Sequence, residues 1–365
     1  SDWQIGMKGT GLGSAAEIVR KARIQSIRNV FEIARTNNVD FVIISGDTFE
    51  HNMVGSEDVK AVISIFNEYR EIPKYLLPGN HDHLGPGSLY DRNIFSRVEN
   101  LTVFKSNIPV SVGDVTLHPI PIYSKFHEQT PVDEFNFVKD APGIQIGISH
   151  GSIVGGFGIT EGLDLPINSE CVEKYGLDYL ALGHWHNYRL FPDSEGVQRI
   201  AYCGTHEQTK YSEHDTGYCL LVEISKKGVP PVINPIKCNT LTWGTIEFKI
   251  KDKTSLKELE ELLKKQRNVE LLQLEITGEL DINSKPEFDS LMDYQETEFR
   301  DFRLITKNFR YLVSIDLDHI SDHSDPTLNQ VEIELRKRIE NSSEEQRPVL
   351  VEALTLLHRL SQEAE

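Results

Sequence analysis

The sequence predicts an α/β fold: a large alternating unit over residues 1–242, a small βαβαβ unit over 243–324 and a helical tail over 325–365. Three observations carry that expectation. Short β-branched and aromatic runs bounded by Gly, Pro, Asn and Asp alternate with helical stretches up to the region of Trp243. The composition then shifts and a strand–helix rhythm restarts. Beyond Asp325 the apolar spacing is helical throughout.

Each element has its own signal. From Ser14 to Asn37, Ile18, Ala22, Ile27, Val30, Phe31 and Ala34 recur at helical spacing, and Phe41–Ser45 follows as a strand. Further strands are expected at Tyr75–Leu77, Leu101–Phe104, Val115–Ile122, Ile144–Ile148, Tyr179–Leu182, Arg199–Cys203 and Tyr218–Ile224. In the second unit the strands are Ile246–Ile250, Leu271–Ile276 and Tyr311–Ile315. Between them run a helix over Leu256–Lys265, opened by a Ser255-x-x-Glu258 capping box, and one from Ser284 with Pro286 in its first turn. Asp325-Pro326 caps the first tail helix, and the second carries a wide stripe from Val349 to Leu360.

Composition excludes several classes. No apolar run approaches the roughly 18 residues of a membrane span, so neither a span nor a secretory leader is expected. The four cysteines (Cys171, Cys203, Cys219, Cys238) show no CxxC spacing and read as reduced thiols of a cytoplasmic protein. A net charge of -18 argues against a surface coated in positive charge for nucleic acid, though a local basic groove is compatible with it. Lys8, Arg20, Lys21, Arg23, Arg28 and Arg35 against Asp2, Glu17 and Glu32 suggest either a phosphate-facing surface or a solvated helix face.

Six short segments carry chemistry: Asp2-Trp-Gln4, Gly46-Asp47, Gly79-Asn-His-Asp82, Ser149-His-Gly151, Gly183-His-Trp-His186 and Gly204-Thr205. Four follow candidate strands, whose carboxyl ends are where α/β proteins gather ligands. Oxygen and imidazole donors without thiolates suit Mn, Fe, Zn or Mg. The two imidazoles of Gly-His-Trp-His, two apart in extended chain, are expected on one side of a strand.

In this order and spacing the segments resemble the calcineurin-like metallophosphoesterases, whose pattern runs D-x-H, GD, GNHD or GNHE, a His beside small residues, then GHxH. The resemblance covers residues 2–186 and implies a β-sandwich flanked by helices with two divalent metal ions, Mn first among the candidates. It implies Asp47 bridging the ions. Asp2, Gln4 and His186 would complete the first site, and Asn80, His150 and His184 the second. His81 would be the general acid, its ring oriented by Asp82. Such a pair of cations acidifies a shared water and clamps the phosphate oxygens.

Three departures stand out. Gln4 occupies a position where the pattern has His, so a weaker first metal position is expected. The pattern also has an apolar strand before the first Asp, so residues upstream of Ser1 are expected. Glu50 stands where nuclease relatives often carry His or another polar group, and reads as a solvent-facing loop carboxylate.

Within the superfamily three features resemble the SbcD-type DNA repair exonucleases. The similarity rests on Ser1-Asp-Trp-Gln-Ile-Gly6, on Tyr202-Cys-Gly-Thr-His-Glu207 followed by Gly217-Tyr-Cys-Leu-Leu-Val-Glu223, and on the βαβαβ unit where those enzymes carry a capping domain. It implies DNA as substrate and a homodimer through helices near Glu57–Arg70 and Leu89–Val98. It further implies an SbcC-type SMC-like ATPase docked on the C-terminal helices. A small-molecule or cyclic-nucleotide phosphodiesterase, or a non-catalytic scaffold at DNA ends, is the alternative.

Overall fold

The computed structural model describes residues 1–125, 141–154, 165–312, 325–343 and 346–364. It is mixed α/β, with seven α-helices and several sheets among the described residues. The chain divides into two compact units, residues 1–241 and 242–365.

In the first unit α1 (Ala15–Thr36) buries Val19, Ile27, Val30, Phe31 and Ala34 along one face. It precedes β1 (Val42–Ser45), α2 (Ser56–Glu68), β2 (Lys74–Leu77) and β3 (Leu101–Val103). These three strands form a parallel sheet in that order, in register Ile44↔Leu76↔Val103. Between α1, α2 and this sheet, Phe31 stacks on Tyr69 and meets Phe66 edge to face.

The chain continues through β4 (Val110–Val112), β5 (Val115–Pro119), β6 (Ile144–His150), β7 (Ser152–Ile153), β8 (Pro166–Ile167) and α3 (Cys171–Tyr175). After these come β9 (Tyr179–Gly183), β10 (Arg189–Pro192), β11 (Gln198–Tyr202), β12 (Tyr218–Glu223) and β13 (Val232–Lys237). Six of them make a second sheet in the order β10-β11-β9-β6-β5-β4, with β6 buried along its whole length. One apolar cluster draws on both sheets: Leu77, Ile43 and Tyr75 meet Leu117, Ile146, Ile148 and Ala181. The strands β1, β2, β6 and β9 are those whose carboxyl ends carry the candidate ligands.

One expectation changes here, and one open alternative is narrowed. The helix expected over Leu89–Val98 is two single 3₁₀ turns, Leu89–Asp91 and Phe95–Arg97. The basic residues of α1 form no free phosphate-facing row. Arg20 and Lys21 pair with Glu17, Arg28 with Glu68, and Arg35 with Glu32 and Glu71.

The second unit runs β14 (Trp243–Ile250), α4 (Thr254–Lys264), β15 (Leu271–Asp281), α5 (Lys285–Glu298) and β16 (Asp301–Leu312), its three strands parallel and in sequence order. Leu256, Leu259, Leu263, Phe288 and Met292 of the helices pack on Ile246, Ile250, Leu272, Leu274 and Ile276. Residues 313–315 of the last expected strand lie outside the described residues. Helices α6 (Pro326–Glu340) and α7 (Arg347–Ala364) follow. Asp325 caps α6 through Thr327 N at 2.7 Å, and Leu354 of α7 is buried while Val349, Leu356 and Leu360 remain exposed.

The start of α4 differs from its expected capping box. Asp252, not Ser255, supplies the cap: its carboxylate accepts from Thr254 N at 2.8 Å and Ser255 N at 3.2 Å. Replacing Asp252 with Ala is therefore expected to lower the denaturant midpoint of unfolding. Glu258→Ala should cost less than about 0.5 kcal/mol. Equal losses would restore the capping-box assignment.

Candidate metal centre

The first ligand segment is laid beside the second by a short parallel ladder. Asp2 N donates to Gly46 O at 3.1 Å, Gln4 N to Asp47 O at 2.8 Å, and Ile5 N to Thr48 O at 3.0 Å. That places Asp2 and Asp47, both buried, in one cluster with His150, their ligand atoms within 4.8 Å of one another. Two ionised carboxylates so close repel by about 3–4 kcal/mol at an effective dielectric near 20. The site therefore calls for a positive charge.

His150 supplies one in the free protein. Its Nδ1 faces the Ser45 carbonyl at 3.1 Å, while Nε2 faces Asn80 Oδ1 at 2.9 Å and Asp47 Oδ2 at 3.4 Å. Burial by itself disfavours the imidazolium, but the Asp47 carboxylate outweighs it and lifts His150 above the usual histidine range. Burial likewise raises Asp47, and His150 followed by His81 more than reverses that, holding it below the usual carboxylate range.

The same geometry fits a cation. With Nδ1–H committed to Ser45 O, the Nε2 lone pair of a neutral His150 meets the lone pairs of Asn80 and Asp47. Asn80 Oδ1 also lies 3.2 Å from His184 Nδ1, with the two imidazoles edge to face at 5.3 Å. The donors Asp47, Asn80, His150 and His184 thus converge with acceptors facing one another, a hard to borderline ligand set. A carbonyl on the remote ring nitrogen of a ligating His is the usual outer support.

Close approach explains the glycines in the motifs. A Cβ on Gly46 (φ +90) would stand 2.0 Å from His150 Nδ1, and one on Gly79 2.2 Å from Asp47 Oδ1. Asp2, Gln4, Asp47 and His184 themselves hold φ of +56, +40, +52 and +107. Such conformations cost on the order of 1–3 kcal/mol each and persist where surrounding contacts impose them. Arg23 is one source of that imposition. Fully buried, it donates to the carbonyls of Asp2, Trp3 and Glu207, tying the opening segment to the loop after β11.

His184 and His186 do not share the side of a strand. Residues 184–188 follow β9 as an irregular segment, with His184 N donating to both Asp2 oxygens at 3.0 and 3.2 Å. A bend lets the two rings serve different places: His184 reaches Asn80, and His186 Nδ1 reaches Glu213 at 2.8 Å. Burial lowers the His186 pKa, but the bond with Glu213, reinforced by the Asp2 charge, raises it overall. Gln4 is buried, its backbone set by the Asp47 carbonyl.

Asp82 does not orient His81. It is fully buried, accepting from Gly79 N at 2.8 Å, Phe49 N at 3.0 Å and the Tyr90 hydroxyl, so it braces the loop from inside. Burial, then the Asp47 charge, pushes its carboxyl up. His81 is oriented by Glu50 instead: Nδ1 sits 2.9 Å from the Glu50 carbonyl and 3.9 Å from its carboxylate. Glu50 is accordingly only partly exposed. His81 N donates to Asp47 Oδ1 at 2.9 Å, and its Nε2 lies 4.0 Å from Asp47 Oδ2. Glu50, Glu213 and Arg23 are the site residues that motif reading missed, since each acts through a bond that only folding creates.

Comparison with known proteins agrees with this picture. The calcineurin-like phosphoesterase family matches over residues 1–188. The chain is also 26% identical over 218 residues to YhaO, an uncharacterised metallophosphoesterase of Bacillus subtilis (strain 168). That alignment covers 56% of this chain and 50% of the relative, so the chain spans about half the length of the curated protein it matches. The chain belongs to the calcineurin-like phosphoesterase family.

Metal binding should release a proton, because His150 must lose the one on Nε2 to become a ligand. Its raised pKa means the proton is present at neutral pH, so metal affinity should rise from mildly acidic to mildly alkaline solution. Calorimetry in buffers of different ionisation enthalpy measures that proton; a heat independent of buffer contradicts it. Gly46→Ala should abolish metal uptake, and Gln4→His should tighten metal binding, both read by metal titration.

Proposed function

Proceeding from that membership, we propose that this chain is a metal-dependent phosphodiesterase with a dinuclear centre, acting on DNA. The observation that carries the hydrolase reading is the convergence of Asp2, Asp47, Asn80, His150 and His184 beyond the ends of β1, β2, β6 and β9. Asp2, Asp47, His186 and Gln4 would hold the first ion, and Asp47, Asn80, His150 and His184 the second. When bound, divalent ions (Mn as the leading choice, with Fe, Zn or Mg as alternatives) acidify a water and draw charge from the phosphate oxygens.

The chain's own residues supply the rest. Asp47 is held ionised and central, and the carbonyls on His150 and His81 fix both rings. With Nδ1–H of His81 engaged by Glu50 O, Nε2 is the nitrogen on the Asp47 side. It holds the proton handed to the departing oxygen. Asp82 and Tyr90 keep the His81 loop in place without touching the ring.

DNA as substrate rests on the likeness to the SbcD-type branch in three stretches and on the βαβαβ order of the second unit. This reading takes the two sheets that share an apolar cluster as a β-sandwich, and residues 243–324 as a capping domain. It also takes a homodimer and an SbcC-type ATPase on α6 and α7 as its partners; the exposed Val349, Leu356 and Leu360 are consistent with such docking. Among the described residues no helix is long and apolar enough to cross a membrane. No disulfide forms among the described residues, which suits a reducing, cytoplasmic setting.

A small-molecule phosphodiesterase is the second reading, favoured by the net charge of -18 and by the carboxylate pairing of the α1 arginines. One assay separates the two. Mn-loaded protein is given end-labelled duplex and single-stranded DNA, and separately bis-p-nitrophenyl phosphate. DNA degradation that weakens with salt supports the nuclease; turnover of the small ester with intact DNA supports the alternative. His81→Ala should lower kcat by about 10²–10⁴ with metal content unchanged. A variant as fast as the parent removes His81 from the chemistry.

A further inference from the structure

We infer that Glu213 is a positioning residue for the first metal position: it holds the His186 ring with Nδ1–H engaged and Nε2 available to the ion. The inference rests on the dinuclear reading above and concerns a residue outside every motif of the sequence.

The geometry around Glu213 is that of a built support. Its side chain is almost fully buried, and Oε1 lies 2.8 Å from His186 Nδ1. Thr209 holds the carboxylate from the other side, its Oγ1 donating to Oε1 at 2.7 Å and its N to Oε2 at 2.7 Å. Glu213 N donates in turn to Lys210 O at 3.2 Å, closing a compact turn around the carboxylate.

The loop itself is tied along the His186 segment. Thr205 N donates to His186 O at 2.8 Å, Tyr188 N to Asp215 O at 2.7 Å, and the Asn187 amide to His214 O at 2.6 Å. A Cβ on Gly204 would stand 2.3 Å from His186 O, so the two segments touch at backbone distance. The carboxylate therefore has one place to be, and the ring that meets it has one orientation.

That orientation has more consequence in this chain than His would leave it. Position 4 offers a neutral amide, so His186 is the one imidazole assigned to the first ion. An imidazole free to rotate about χ2 presents its lone pair only part of the time. Anchoring Nδ1–H on a carboxylate also makes Nε2 a better donor, and losing such an outer partner typically costs 10–100-fold in metal affinity.

The test is Mn titration by calorimetry and metal content by mass spectrometry on the full chain. The parent should take up about two ions. Glu213→Ala should keep the tighter ion and weaken the other about 10–100-fold. Glu213→Gln retains an acceptor for Nδ1–H and should recover part of the loss, whereas Thr209→Val, which leaves the carboxylate in place, should lose less than Glu213→Ala. His186→Ala should lose the same ion as Glu213→Ala.

If His186→Ala loses an ion and Glu213→Ala binds both like the parent, the role of Glu213 is wrong and the metal centre stands. If His186→Ala also binds both ions unchanged, the assignment of the first position falls with it. Should Glu213→Ala not fold, the ¹⁵N spectrum of the His186 ring in the Zn-loaded parent decides. An Nδ1–H tautomer supports the inference, and an Nε2–H tautomer overturns it.

Discussion

The structure is organised around the burial of two carboxylates, Asp2 and Asp47, within reach of one histidine. Buried like charges at that distance are stable only with a counter-charge among them. In the protein by itself, His150 carries it as an imidazolium wedged between Ser45 O, Asn80 Oδ1 and Asp47. The same three side chains, Asp2, Asp47 and His150, form a cluster that could hold a cation. Gly46 and Gly79 are needed because ligand atoms occupy the volume of any larger side chain. The left-handed backbones of Asp47 and His184, just past β1 and β9, and of Asp2 in the opening segment are the conformational cost of turning three candidate donors inward.

A second layer bears that cost. Arg23 reaches from the middle of α1 to carbonyls in the opening segment and in the 203–217 loop. Burial lowers its pKa to about 10, against the opposing charges of Glu207 and Glu213, so it still serves as a cation there. Glu207 in turn accepts from Ser26 and from Thr240 N, joining α1 to the segment after β13. Tyr202 donates to Gly151 O and accepts from Ile153 N, clamping the loop that follows His150. The stretch Tyr202–Glu207, on which the proposed exonuclease reading partly rests, is therefore a buttress of the candidate metal site. Its physical role is to hold ligands, and it would serve any phosphoester equally well.

Charge places a further condition on substrate. Arginines that a polyanion would contact on α1 are already paired with Glu17, Glu32, Glu68 and Glu71, in exposed pairs that solvent screens. Such pairs are easily exchanged, so a phosphate backbone could compete for them. Long-range attraction to DNA, however, has to overcome a net charge of -18. The substrate question is thus one of local field against global charge.

The sequence by itself determined the α/β class, the restart of a βαβαβ unit after Trp243, the Asp325 cap, and the order of the polar segments whose Asp47, Asn80, His150 and His184 side chains come together. These were legible because strand-then-glycine punctuation and side-chain period are local, and because ligands at successive strand ends leave a fixed order of polar residues after apolar runs. What only the tertiary structure decided is how each donor is aimed. Asp82 lies next to His81 in sequence yet braces the loop with Tyr90, while Glu50, 31 positions earlier, holds the ring. Glu213 meets His186 across 27 positions of irregular chain with no periodicity to announce it. The alternation expected of Gly-His-Trp-His gave way to a bend because Asp2 captures His184 N. Ligand identity is a property of residue type and order, whereas ligand orientation comes from hydrogen bonds between distant segments, and those exist only once the chain has closed around them.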